Sequence, residues 1–191
     1  MKQKITTILF SLLLCITHLS AQQNKDVEQT YFPKGSLSLR TNIPSWLLLT
    51  PSLGVEYKAA DNIGLLVDGG WAHWNLNTQN KYWRMWNIAP QVRYYTGSFK
   101  DNYIGLQYTM GEYNLVGSQS KYMGGGLTFG HQFDCGKNLM VDLGLSVGYL
   151  YLHDKEEYER IDGHDYRTKD KSSNGYWGPT GLTVGLVWKI N

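Results

Sequence analysis

Residues 139–151 alternate with a period of two. Leu139, Val141, Leu143, Leu145, Val147, Tyr149 and Tyr151 fall on one face, and Met140, Asp142, Gly144, Ser146 and Gly148 on the other. Successive side chains of a strand point to opposite faces, so this segment reads as a strand with one apolar face that ends in aromatics. The C-terminal segment repeats the design, with Leu182, Val184, Leu186, Trp188 and Ile190 alternating with Gly181, Thr183, Gly185, Val187 and Lys189. Carried through the chain, the same rule gives eight candidate strands, about 36–43, 52–59, 63–74, 82–95, 102–114, 121–133, 139–152 and 176–190. The expected fold is all-β, an eight-stranded antiparallel up-and-down transmembrane β-barrel. Eight is an even number, as single-chain bacterial barrels require.

The N-terminus says how such a barrel would reach a membrane. Lys2 and Lys4 precede an apolar stretch from Ile5 to Ile16, and Leu19-Ser20-Ala21 ends in a small residue before the polar segment that starts at Gln22. This is the layout of a secretory signal peptide, so residues 1–21 are expected to be cleaved, 22–34 to form a polar periplasmic lead and 35–191 the barrel. A lipoprotein reading of Leu12-Leu13-Leu14-Cys15 fits less well, because Leu14 stands where a small residue is usual. Beyond this segment no apolar run is long enough to span a bilayer as a helix. Loss of Lys2 and Lys4 leaves 16 basic residues against 16 acidic ones. A neutral chain without a basic stripe gives no purchase to nucleic acid. Cys135 then has no cysteine partner, and without a nearby base it reads as a bystander thiol in a turn.

The connections fall into two classes. Ala59–Asn62, Thr96–Asp101 and Asp134–Asn138 are short and read as periplasmic turns. Pro44–Pro51, Asn75–Lys81, Leu115–Ser120 and the long segment His153–Gly175 read as extracellular loops, although the apolar Ile43–Leu49 stretch suits a loop poorly. Asp154 to Gly175 carries seven acidic and five basic residues, the composition of a solvated surface loop that reaches toward a partner. Pro90 falls inside the fourth strand, where a closed barrel has no edge to hide it, and a bulge is expected there.

Alternation alone also fits a soluble lipocalin-like barrel with an apolar cavity. The polar positions argue against it, because they are mostly Gly, Ser, Thr and Gln rather than the Lys and Glu of a water-facing sheet. Small side chains fit a narrow lumen. The few charges, Arg40, Lys58, Arg93 and Lys189 against Glu56, Asp68 and Asp142, are nearly balanced, as expected of ions that pair in a confined interior. Of these, Arg40, Glu56, Asp68, Arg93, Asp142 and Lys189 are expected to form a structural interior network. Trp71, Trp74, Trp83, Trp86, Tyr94, Tyr95, Tyr149, Tyr151, Trp177 and Trp188 lie near strand ends and suit aromatic girdles.

Several fragments in order resemble small outer-membrane proteins of Bacteroidota catalogued as domain of unknown function 3575. They are Thr41-Asn42 followed by Trp46, Pro51-Ser52-Leu53-Gly54-Val55-Glu56-Tyr57, Pro90-Gln91-Val92-Arg93-Tyr94-Tyr95, Gly111-Glu112-Tyr113-Asn114, Gly148-Tyr149-Leu150-Tyr151 and Tyr176-Trp177-Gly178-Pro179-Thr180. Gln91 stands where the family commonly has Glu, Tyr95 where it often has Trp, and Asn191 where an apolar or aromatic terminus is usual. Thr183, Gly185, Trp188 and Ile190 resemble the C-terminal signal read by the barrel insertion machinery. The resemblance implies an outer-membrane barrel and association with fimbria-type surface assembly, and it implies no established activity.

No catalytic constellation is legible. His131 and Ser146 could be paired on paper, but parity puts His131 among the apolar-face positions and Ser146 on the polar face. Asp162-Gly163-His164-Asp165 lacks the ligand number and spacing of a calcium or zinc site. No cofactor is implied. The reading is a structural or interaction component of the cell surface with outer-membrane lipid, the insertion machinery and a surface or fimbrial protein as partners. A lipid-modifying outer-membrane enzyme in the same fold is the alternative, ahead of the soluble barrel.

Overall fold

The computed structural model describes residues 32–76, 81–115, 117–136, 138–161 and 164–190. The expected signal segment 1–21 and most of the polar lead 22–34 lie outside the described residues. Eight antiparallel strands follow one another in chain order, with one short helix: β1 (Leu37–Asn42), α1 (Ile43–Leu47), β2 (Ser52–Ala60), β3 (Ile63–Leu76), β4 (Lys81–Thr96), β5 (Asn102–Leu115), β6 (Ser118–Asp134), β7 (Leu139–Ile161) and β8 (His164–Lys189). Each strand pairs with the next, and β1 pairs with β8, so the sheet closes into a barrel.

Alternation decides which side chains turn inward. On β2, Gly54, Glu56 and Lys58 are buried while Leu53, Val55 and Tyr57 are exposed. On β4, Gln91, Arg93 and Tyr95 are buried while Val92 and Tyr94 are exposed. Among the described residues fifteen polar or charged side chains are buried against eight apolar ones, the reverse of a water-soluble core. The apolar part of the interior sits at the end where β1 begins and β8 ends, where Phe32, Met140 and Val187 pack together. Phe32 is thus buried against the barrel interior, whereas a polar lead was expected there. Glycine is the residue that lets the interior be filled this way. A Cβ on Gly126 or Gly148 would collide with the backbone of the facing strand, so these positions allow β6 and β7 to approach closely.

Three expectations are corrected. Pro90 makes no bulge: it pairs with Val67 on β3, and the β4–β5 ladder lapses between Ile88↔Met110 and Gln91↔Gln107 with its register unchanged. The gap falls where proline has no N–H to donate. The Pro44–Pro51 loop contains α1, which begins after an extended Asn42 with Pro44 in its first turn. The long loop His153–Gly175 is not a loop, because β7 runs to Ile161 and β8 starts at His164, and the two pair as a hairpin up to Ile161↔His164. β6 accompanies β7 only as far as Glu157, so the tip of the hairpin stands clear of the barrel wall.

Candidate functional site

The interior offers two candidate features, an ion network across the middle of the lumen and a polar cavity on its α1 side. Asp142 of β7 organises the network. Its carboxylate is fully buried and accepts hydrogen bonds from Arg40 of β1, from Arg93 of β4 at 2.8 Å and from the Tyr103 hydroxyl of β5 at 2.8 Å. Glu56 lies 3.4 Å from Arg40 and 3.9 Å from Arg93, and it accepts a hydrogen bond from the Tyr95 hydroxyl. Asp68 reaches Arg40 at 3.6 Å. Arg93 Nε donates to Gln91 Oε1 at 3.0 Å, the guanidinium lies over the Tyr103 ring, and Lys58 lies over the Tyr95 ring. Buried charges of this kind hold only when paired and hydrogen-bonded.

Five of the six expected network residues therefore meet: Arg40, Glu56, Asp68, Arg93 and Asp142. Lys189, half-buried at the last position of β8, is in none of these pairs. Tyr95 had been assigned to a girdle, yet it is 1 % exposed and belongs to the network. Tyr103 and Gln132 were not singled out. Their signal was parity, since Tyr103 faces Tyr95 across the β4–β5 ladder and Gln132 faces Asp142 across the β6–β7 ladder. Small neighbours make room: a Cβ on Gly54 would run into Asp68, one on Gly64 into Glu56, and one on Gly130 or Gly144 into the Tyr103 hydroxyl.

Beyond the network toward α1 lies a cavity of about 380 Å³. Its floor is Arg40 and Asp68, and its walls include Asn42, Ser52, Asn87, Gln91, Gln107, Thr109, Tyr122 and Ser146, with Pro44, Ser45 and Leu48 at the α1 end. Ser146 Oγ donates to Gln107 Oε1 at 2.7 Å, while His131 Nδ1 is 2.9 Å from Asn102 Oδ1, so the structure does not bring this serine and histidine together. Asp162 and Gly163 lie outside the described residues. The Cys135 thiol is pushed above its ordinary value by partial burial and then by Asp134, the direction of an unreactive thiol.

Outside the barrel, charges gather at the base of the projecting hairpin. Glu156 is held below the usual carboxylate range first by a hydrogen bond from the Tyr158 hydroxyl, then by Gln119 at 2.7 Å and by Arg167 and Lys171. Glu157 is lowered first by Lys169 at 2.6 Å and then by Lys155 at 3.4 Å. Depressed folded pKa values mean that these contacts contribute fully above the unfolded pKa, near ~4.3, and are lost as pH falls through the folded values. Amide exchange at residues 156–158 and 167–169, corrected for its intrinsic pH dependence, should therefore quicken below about pH 4 while residues 139–147 keep their protection. Equal protection of the hairpin at low and neutral pH would show that these carboxylates do not hold it.

The expected insertion-signal residues are placed on β8 and just beyond it. Trp188 and Ile190 point outward and are exposed, Gly185 is buried, and Thr183 is intermediate. A search of the curated proteins finds no match. The family model described as protein of unknown function (DUF3575) matches residues 7–190, and the chain belongs to that family.

Proposed function

We propose that this protein is an integral β-barrel of a Gram-negative outer membrane that serves as a structural or interaction component of the cell surface. The observation that carries the reading is the inverted polarity of the barrel: ions and amides inside, a continuous apolar surface outside. Val55, Leu65, Val67, Val92, Leu106, Leu127 and Leu182 are exposed on the outer face of the wall. Aromatics are exposed toward both ends, with Tyr57, Tyr94 and Trp188 near the turns and Trp71, Trp74, Trp86 and Trp177 near α1. Tyr94 and Trp86 are eight residues apart on β4, which spans ~20 Å along the axis for a tilted strand. That height suits the apolar band of a small outer-membrane barrel. Closure also gives the backbone polar groups partners within the sheet, as lipid demands.

A soluble lipocalin-like barrel would place its apolar face inside, and here that face is outside. Lumen charges paired across the middle oppose general diffusion through the barrel. The projecting β7–β8 hairpin, with its alternating Glu, Lys and Arg, is the element suited to meet a surface or fimbrial protein. The test is electrophoresis of the isolated outer-membrane fraction with and without boiling. A band in that fraction that migrates differently after boiling is the expected result, and a band confined to the soluble periplasm would overturn the reading.

A further inference from the structure

We propose that the cavity on the α1 side of the ion network is a binding site for a neutral polyhydroxylated ligand of about monosaccharide size. Its volume, about 380 Å³, lies in the range of small-molecule pockets. The chemistry of its lining chooses the class of ligand. Below the cavity the charges balance, with Arg40, Lys58 and Arg93 against Glu56, Asp68 and Asp142. Of these cations only Arg40 lines the cavity, and it already shares Asp142, Glu56 and Asp68, so no unshared cation faces the cavity to recruit an anion.

The walls, in contrast, present neutral groups with hydrogen-bonding capacity to spare. Gln91 Oε1 accepts from Arg93 Nε, and because arginine only donates, this bond fixes the amide and leaves Gln91 Nε2 as the free donor. Gln107 Oε1 accepts from Ser146, and its Nε2 makes no hydrogen bond among the described residues. Asn87 makes none among them either, so one further donor and acceptor are free. Asp68 is 28 % exposed in its side chain and touches Arg40 only at 3.6 Å, leaving carboxylate capacity for ligand hydroxyls. Tyr122 adds an aromatic surface to the same wall. Amide donors, a carboxylate acceptor and an aromatic side chain around this volume match a sugar ring, whose hydroxyls both donate and accept and whose C–H face is apolar.

The inference concerns the lumen and does not depend on where the barrel resides. The test follows the side-chain amides of Gln91, Gln107 and Asn87 by ¹H–¹⁵N NMR in a zwitterionic detergent without a sugar headgroup. Glucose, galactose, mannose and N-acetylglucosamine are each titrated to about 50 mM, a range that reaches weak, millimolar binding, with inorganic phosphate and tetramethylammonium in parallel. Saturable shifts of these amides with at least one sugar are expected. Affinity should fall about tenfold in Gln107→Leu, the upper range for one neutral hydrogen bond. Asn87→Leu serves if Gln107→Leu does not give a folded, heat-shifting band. No shift with any sugar, shifts only with phosphate or tetramethylammonium, or unchanged affinity in the folded variants would overturn the proposal.

Discussion

Replacing Asp142 with alanine should lower the stability of the barrel by about 3–5 kcal/mol, the range for removing one partner from a buried ion pair. Arg40 and Arg93 share this carboxylate and both are buried. Without it, two guanidinium groups face one another with Glu56 as their chief common partner, and Arg93 Nη2 already has no hydrogen-bond partner among the described residues. The Tyr103 hydroxyl loses its acceptor at the same time. Urea unfolding in lipid vesicles, followed by the electrophoretic shift, is the measurement. Asp142→Asn keeps an acceptor but not the charge and should fall between the two. The double change Arg40→Met with Asp142→Leu should cost less than the sum of the single changes, because it removes both charges together. An Asp142→Ala protein as stable as the parent would mean that the network is not what holds the lumen.

The second large effect is expected on the opposite face. Val67 is 47 % exposed and pairs with Pro90, midway between Tyr94 and Trp86 on β4, and its other cross-strand neighbour Val55 is exposed too. If this wall faces lipid, Val67→Arg at mid-height should cost about 2–4 kcal/mol, whereas Tyr94→Arg near the turn end should cost about 0–1 kcal/mol for the charge itself. On a wall that faced water, an exposed apolar residue changed to arginine would be nearly neutral at either height, within about ±0.5 kcal/mol. The depth profile is thus the readout. Small and equal effects at the two positions would refute a lipid-facing wall.

Much of this architecture was legible in the chain because parity carries two kinds of information at once. The alternation in Leu139–Tyr151 marks a strand, and the Asp142 within it marks which face is the lumen. The same logic brought together Arg40, Glu56, Asp68 and Arg93. Tyr95 escaped because residue type outweighed position: an aromatic near a strand end suggested a girdle, although it shares a face with Arg93 two residues earlier. The hairpin escaped for a different reason. Between Asp154 and Gly175 the alternation is not between apolar and polar residues, since charged and polar residues occupy both faces, so hydrophobic period says nothing. Its strands are tied by backbone pairing and by pairs such as Arg167–Glu156 at 3.1 Å and Lys169–Glu157 at 2.6 Å. α1 was hidden by its length, since five residues show no helical period, though Pro44 just after Asn42 is a start signal.

The closure of the sheet has a consequence for how the chain folds. Strands β1 and β8 meet through five residue pairs, Ser38↔Lys189 to Asn42↔Gly185, whereas β7 and β8 pair along nearly their whole length. Seven of the eight ladders join consecutive strands and close short loops. The eighth joins the two ends of the barrel, and the entropy of closing that longest loop falls on a ladder of five pairs. Ring closure should therefore be the late step in assembly, and the β1–β8 seam the first to open. Arg40 moderates this from within, because it stands on β1 yet binds Asp142 on β7, past β8. The interior charges thus do more than fill the lumen: they tie the first strand to the penultimate one and hold together the only joint that chain connectivity does not protect.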